Sequence, residues 1–240
     1  MGAVTNSKFE IISMTGYISE VFTSIQGEGI KVGQRQTFIR FLGCNLSCNY
    51  CDTPISQKMK GALIIGNRVY QNPVTADLLF DFIDASEAAI TGGEPLLQSE
   101  FLLQLCERLK TEKKSVYLET NGTLSNELKK VIKHVDWIAL DFKIPTATGR
   151  PGLWHEHEKS LSTAAQKKVF VKIIINENIV PRELDKVCSI IEKVSRDIPL
   201  VIQPAHGKSI PNILEIQKKA LTRLNDVRVI PQIHKFMKVR

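Results

Sequence analysis

From residue 75 onward the chain switches regularly between two hydrophobic periods. Short apolar runs at 88–91, 115–119, 137–142, 169–175, 200–203 and 227–230 have the length and composition of buried strands. Between them apolar residues recur three and four apart. These stretches predict helices over 75–85, 98–110, 124–133, 156–167, 181–194 and 210–224. Thr75 is placed to cap the first, whose face is Leu78, Leu79, Phe82 and Ile83, and Pro181 opens the fifth at a favoured position. Upstream, 17–22 alternates and reads as a strand, 23–34 is a loop punctuated by Gly27, Gly29 and Gly33, and 36–42 reads as a buried strand. Residues 62–65 and 68–70 suit a small hairpin around Gly66-Asn67. Residues 1–16 have no period and read as an extended leader.

Strand–helix alternation implies parallel strands joined by right-handed crossovers. Six core strands would begin at Gln36, Ala88, Ser115, Trp137, Val169 and Leu200. That count fits an open α/β partial barrel with a small extra N-terminal strand and an insertion at 54–74. A closed eight-stranded barrel and a doubly wound sheet are the alternatives. All three put chemistry at the C-terminal ends of the strands. The polar motifs do follow strands, at 44–53, 91–94, 119–121, 141–143 and 203–206. No repeat or linker divides the chain, so 1–240 is expected to be one domain.

Composition narrows the partners. Hydrophobic content of 43% and charged content of 24% are ordinary for a globular protein. The net charge of +7 is spread along the chain, which suits a solvated basic surface and small anionic ligands better than a nucleic-acid patch. No apolar stretch approaches membrane-spanning length, and the patch at Phe9, Ile11 and Ile12 is too short for a secretory segment. A reducing cytoplasm, without membrane or nucleic acid as partner, is the expectation.

Three of the five cysteines, Cys44, Cys48 and Cys51, are spaced C-x3-C-x2-C. Three such thiolates can converge on one metal centre. A 4Fe–4S cluster takes four, so three leave one iron open to a ligand. A zinc site is the alternative, but it needs a fourth ligand and the loop holds no His. Cys106 and Cys188 fall within amphipathic helix patterns and read as core.

This spacing, with Thr91-Gly92-Gly93-Glu94-Pro95 downstream, resembles the cluster and GGE motifs of the radical S-adenosylmethionine (SAM) superfamily. Ser19-Glu20-Val21-Phe22, Ser24-Ile25-Gln26-Gly27-Glu28-Gly29, Phe38-Ile39-Arg40 and Cys51-Asp52-Thr53 resemble, more narrowly, the 7-carboxy-7-deazaguanine synthase family of queuosine and 7-deazapurine biosynthesis. The resemblance runs from about residue 17 to the end. It implies a partial (β/α)6-type barrel and a carbon–nitrogen lyase. The expected reaction is SAM cleavage to a 5′-deoxyadenosyl radical, hydrogen abstraction from 6-carboxy-5,6,7,8-tetrahydropterin, ring contraction, and loss of ammonia to give 7-carboxy-7-deazaguanine. It also implies Mg²⁺ at Thr53, a flavodoxin-like or other low-potential electron donor, and a homodimer. SAM would be met by Tyr50, Cys51 and Asp52, by Gly93 and Glu94, by Glu119, by Asp141, Phe142 and Lys143, and by Gln203, Pro204, Ala205 and His206. Substrate would be met by Ile25, Gln26, Gly27, Glu28, Arg40, Thr91, His234 and the main-chain carboxylate of Arg240. Another radical SAM enzyme, such as a glycyl-radical activase, and a zinc-stapled nucleic-acid-binding domain are the rivals.

The residues have readings of their own. Glycines around Glu28 leave backbone open to the flat donor–acceptor edge of a pterin, or make a flexible loop. Arg40, on a core strand, needs a partner, either a substrate carboxylate or an internal acid. Asp141 and Lys143 suit a ribose hydroxyl and a carboxylate, or pair with each other. Glu119-Thr120-Asn121-Gly122 is a contact or merely a corner. Phe236, Met237 and Val239 could fold back onto the barrel mouth.

Overall fold

A computed structural model of the chain describes residues 14–240. Its elements in chain order are β1 (Thr15–Gly16), β2 (Ile18–Ile25), β3 (Arg35–Phe41), β4 (Leu63–Ile65), β5 (Arg68–Tyr70), β6 (Val74–Thr75), α1 (Ala76–Phe80), β7 (Glu87–Gly92), α2 (Ser99–Thr111), β8 (Ser115–Thr120), α3 (Ser125–Val131), β9 (Trp137–Asp141), α4 (Pro145–Thr148), α5 (Trp154–Ala164), β10 (Lys168–Ile175), α6 (Pro181–Val194), β11 (Leu200–Pro204), α7 (Ile213–Leu221), β12 (Val227–Val229) and α8 (Ile233–Met237).

One sheet has the order β12-β11-β10-β9-β8-β7-β3-β2-β4-β5. From β3 through β7 to β12 every neighbouring pair is parallel. The strand order follows the chain without the reversal that a doubly wound sheet requires. Among the described residues the outermost strands β12 and β5 do not pair with each other, so the barrel is open. β12 extends the parallel run beyond the six expected core strands. The extra N-terminal strand is not small: β2 spans eight residues and pairs antiparallel with β3. The expected hairpin forms as β4–β5 and docks on β2, which places part of the insertion on the sheet edge. Of the expected leader, residues 1–13 lie outside the described residues, and Thr15–Gly16 pairs with β6.

The inner face of the barrel is layered by strand periodicity. Phe38, Ala89, Tyr117, Ala139, Phe170 and Val201, one from each of β3 and β7 to β11, form an apolar plug. A larger apolar cluster fills the space between sheet and helices. Below the plug, Lys31 Nζ meets Glu87 Oε1 at 2.5 Å, Gln36 also bonds Glu87, and Ser115 Oγ donates to Glu87 Oε1 at 2.9 Å. This buried group closes the bottom. Above the plug, the next inward residue of each strand is polar: Arg40, Thr91, Glu119, Asp141, Lys172 and Gln203.

Some boundaries differ from the sequence expectation. α1 stops at Phe80, because Asp84 is held outside any helix by Thr23, Thr37 and Arg35, and Ala85 N–H donates to Thr37 Oγ1. α7 starts only at Ile213, after Pro211 and an Asn212 in the left-handed region (φ 57°). The loop expected up to residue 154 contains α4, which ends at Gly149 with φ 71°.

Candidate active site

The polar layer opens into a cavity of about 510 Å³ at the C-terminal ends of the parallel strands, within the ~300–1,000 Å³ usual for small-molecule sites. Cys44, Cys48 and Cys51 line one side, on the loop after β3. The loop is shaped by its own backbone. Gly43 N–H donates to Ser56 O (2.8 Å), Cys44 N–H to Gln57 O (3.1 Å), and Glu94 N–H to Gly43 O (2.7 Å). Gly93 sits so close to Gly43 O and Ser56 O that any Cβ there would collide with backbone. The Gly92-Gly93 turn is thus fixed by contact with the cysteine loop, independently of any ligand.

The three cysteines are free and half-buried. Burial pushes the thiols of Cys44 and Cys48 up, so their thiolates need a nearby positive charge, as a metal centre supplies. Among the described residues their sulfurs do not form a three-ligand group within 4.8 Å. One tetrahedral zinc would draw its sulfurs to about 3.8 Å from one another. Such a zinc site is therefore not preformed among the described residues.

Charged groups run across the cavity floor from the cysteine loop to α8. Tyr50 OH meets Lys143 Nζ at 3.1 Å; Lys143 Nζ meets Asp141 Oδ2 at 2.9 Å; Lys172 Nζ lies 3.2 Å from the same oxygen and 2.5 Å from Glu28 Oε2. Gln232 Nε2 donates to Glu28 Oε1 at 2.7 Å. Burial alone would raise the Glu28 carboxyl, but Lys172 and these hydrogen bonds hold it at about 2. Burial alone would lower Lys143 and Lys172, and the carboxylates beside them raise both instead. Lys172 was missed in the sequence, although a lysine in the middle of the apolar run 168–175 is a signal in itself.

Gln26 ties the glycine loop to the barrel. Its Nε2 donates to Gln36 Oε1 (2.9 Å) and Glu119 Oε1 (3.1 Å), and its Oε1 accepts from Glu28 N–H (3.0 Å). Thr91 Oγ1 donates to the other oxygen of Glu119 (2.8 Å). Glu119, raised by burial, thus bonds two of the residues expected to meet substrate and also lies within electrostatic reach of Lys172. Arg40 lines the cavity, and its Nε bonds Glu20 Oε1 at 2.7 Å, so the internal acid exists.

Four expected SAM contacts are corrected for their side chains, which do not line the cavity. Glu94 is fully buried and accepts from Leu96 N, Thr120 Oγ1 and Asn121 N, tying the β7 and β8 turns together; burial lifts it to about 6. Phe142 is buried and stacks on His157 at 4.5 Å. Pro204 ends β11. The Gln203 carboxamide helps hold Glu28 ionised, and both its polar atoms, like Asp141 Oδ1, are buried without a hydrogen bond of ordinary geometry. Ile25, Gly27, Tyr50, Asp52, Thr53, Ala205, His206, His234 and Arg240 line the cavity with the residues above.

The chain end also differs from expectation. α8 docks on the glycine loop through Ile233 N–H to Gly27 O (2.9 Å), and His234 packs where a Gly27 side chain would be. Met237 and Val239 stay exposed, and Phe236, though largely exposed, meets the mouth through an edge contact with the His206 ring at 6.1 Å. The main-chain oxygen of Arg240 accepts from Ser24 Oγ at 2.7 Å, and its guanidinium bonds Glu20.

Residues 38–192 match the radical SAM superfamily. The 7-carboxy-7-deazaguanine synthase of Geobacter sulfurreducens is 40% identical over 92% of this chain and 96% of the relative. The synthase of Archaeoglobus fulgidus is 36% identical over 95% and 100%. The chain belongs to the radical SAM superfamily and, within it, to the 7-carboxy-7-deazaguanine synthases. The fold agrees: the crystal structure of QueE from Escherichia coli superposes with a TM-score of 0.64 at 22% identity, over 92% of this chain and 95% of that one. SuiB of Streptococcus suis, solved with S-adenosylmethionine bound, superposes with a TM-score of 0.51 at 14% identity, over 79% and 48%. Membership of the superfamily implies a 4Fe–4S cluster and SAM.

Proposed function

We propose that this chain converts 6-carboxy-5,6,7,8-tetrahydropterin to 7-carboxy-7-deazaguanine with loss of ammonia, as the radical SAM lyase of a 7-deazapurine pathway. One observation carries the reading. A single cavity faces three free cysteines on one wall and, on the other, a carboxylate held ionised and oriented by Lys172 and Gln232. Glu28 is placed to accept from the amino edge of a pterin, with Glu119, Gln26 and Thr91 beside it. Arg40 offers a planar fork to the substrate carboxylate from the neighbouring strand.

Cys44, Cys48 and Cys51 would hold the cluster, and Tyr50, Asp52, Gly93, Asp141 and Lys143 would meet SAM with Ala205 and His206. The bound cofactors supply hydrogen abstraction by a carbon radical. The chain's own work is to orient the pterin, keep the acids and bases around it in fixed protonation states, and exclude water. The unpartnered Asp141 Oδ1 supports a ligand contact there, since buried polar atoms are seldom left unmet. Mg²⁺ would sit at Thr53. Its hydroxyl makes no capping bond to the turn that follows, and Glu28, Asp52 and His234 bring donor atoms within 4.8 Å of one another nearby. The electron donor would be a low-potential, flavodoxin-like protein. A homodimer is supported by the cross-strand pair Ile64 and Val69, both exposed on the edge hairpin.

The test is anaerobic cluster reconstitution followed by incubation with SAM, reductant and the carboxylated tetrahydropterin. The deazapurine and ammonia should appear together in equal amounts. SAM cleavage without either product, with this substrate and intact cluster, would overturn the reading.

A further inference from the structure

His157 does not line the cavity. It lies in the first turns of α5, wholly buried. Its ring stacks on Phe142, with centroids 4.5 Å apart and planes 11° from parallel. Both ring nitrogens are engaged by backbone. Nε2 is 3.0 Å from the Lys143 nitrogen, and Nδ1 is 3.2 Å from the Gly122 carbonyl oxygen.

These partners fix the tautomer. A peptide N–H can only donate, so Nε2 must be the unprotonated acceptor; a carbonyl can only accept, so Nδ1 must carry the proton. Only the neutral ring with that tautomer satisfies both. Burial agrees, lowering the imidazole to about 4.

The two backbone groups belong to different turns. Gly122, with φ 70°, closes the turn after β8 that carries Asn121, whose Nδ2 bonds Asn45 of the cysteine loop at 2.8 Å. Lys143 is in the turn after β9, and its side chain reaches Asp141 and Tyr50. Among the described residues β8 and β9 pair along 117–120 and 137–140, so their turns lie past the last paired residues. The imidazole bridges the two turns where the sheet no longer does.

We infer that His157 is a positioning residue for SAM. It locks the β8 turn to the β9 turn and so sets where Lys143 and Asp141 stand relative to the cysteine loop. The inference rests on the reading that the Tyr50–Lys143–Asp141 side of the cavity receives SAM. Arg40 and Gln26 are held by Glu20 and Gln36, and Glu28 is held by Gln232 as well as by Lys172, so the pterin side should respond to His157 much less than the SAM side does.

The experiment uses cluster-loaded, oxidised protein without reductant, so that binding is read without turnover. SAM and pterin dissociation constants are measured by equilibrium ultrafiltration for wild type, His157→Phe, His157→Gln and Lys143→Met. Amide exchange is followed for the peptide containing Lys143. Phe keeps the stack on Phe142 and loses both hydrogen bonds. Gln can restore an acceptor and a donor. The expected result is SAM binding weakened roughly tenfold or more in His157→Phe, pterin affinity within about twofold, faster exchange at Lys143, and recovery of most of the SAM affinity in His157→Gln. If Phe and Gln weaken both ligands alike, or if Lys143 exchange quickens while SAM affinity holds, the residue is only structural and the inference fails. Should Phe not fold, His157→Leu takes its place: a loss selective for SAM that His157→Gln reverses supports the inference, and unchanged SAM affinity or an equal loss for both ligands overturns it. Lys143→Met separates the two levels. If it leaves SAM affinity unchanged, the cofactor reading itself falls and takes the inference with it. If it weakens SAM while His157→Phe does not, only the inference falls.

Discussion

Lys172 shows how one inward side chain organises the site. It is buried between Glu28 and Asp141, and each acid is oriented by a further contact. Replacing it with Met would strand the Glu28 carboxylate and leave Asp141 with Lys143 alone, and breaking a buried pair by removing one partner costs ~3–5 kcal/mol. Lys172→Met should therefore lower the urea midpoint strongly and weaken pterin binding; unchanged stability would mean the floor is not a coupled network. The linkage sign for Glu28 follows from its lowered carboxyl. A carboxyl moved from 4.5 to about 2 contributes stability that is fully present above pH 4.5 and is lost as pH falls through 2. At about 1.4 kcal/mol per unit that is about 3 kcal/mol. Urea unfolding of the cluster-free chain at pH 4.5 and pH 2.5, below the range in which Glu94 titrates, should show about 2 kcal/mol of that loss, and Glu28→Gln should show less of it. Glu94 has the opposite sign. Its raised carboxyl gives stability present below pH 4.5 and lost as pH rises through about 6, so it does not mask the acid limb below 4.5.

At the scale of elements, the parallel run was legible because each strand is short, apolar and separated from the next by a helical period. Even α6, at Pro181–Val194, has the bounds expected from its proline and face. The polar layer was legible only in part. Arg40, Thr91, Glu119 and Asp141 stand at or near strand ends next to recognisable motifs, whereas Lys172 lies within β10 because the strands are staggered around the barrel. Glu94 and Phe142 adjoin motif residues that line the cavity but face away from it, and linear proximity cannot reveal that. Nor does spacing show α8, whose placement depends on Gly27 lacking a side chain. The glycine loop lines the cavity and is tied to the barrel, unlike the flexible loop that its composition also allowed. At its far end Lys31 is plugged beneath the barrel, against Glu87 and 4.9 Å from the Trp137 ring centroid. Lys31→Met should release this end of the loop and leave Glu87 buried without its cation. The pterin affinity should fall while SAM affinity changes little, the reverse of the split expected for His157→Phe. A loss confined to SAM would show that the loop is not anchored from below.

At the scale of the molecule, the surplus of positive charge acquires a location. The net charge of +7 is carried by side chains spread over the surface, yet several frame the mouth. Lys208 and Lys235 line it, Lys58 and Lys60 are exposed just beyond the cysteine loop, Lys238 is exposed after α8, and Arg150 binds Ser47 within the loop. Nearby acids offset only part of this: Glu177 pairs with Lys208, and Asp52 lies 3.9 Å from Lys235. An electron donor must approach the cysteine side closely, and an acidic donor of flavodoxin-like character would be drawn toward this rim. Such steering raises encounter rates by roughly 10–10³ and fades as salt shortens the screening length, from ~10 Å at 0.1 M to ~3 Å at 1 M. The rate of cluster reduction by an acidic flavoprotein, followed by stopped-flow bleaching, should therefore fall several-fold as ionic strength rises from about 0.05 to about 0.5 M. Reduction by dithionite serves as the small-molecule control and should fall much less. Replacing Lys58 and Lys60 together by Gln should flatten the protein-donor curve without moving the control, because neither side chain lines the cavity. An equal response for both reductants, or a double variant with the wild-type salt slope, would place the donor elsewhere on the surface.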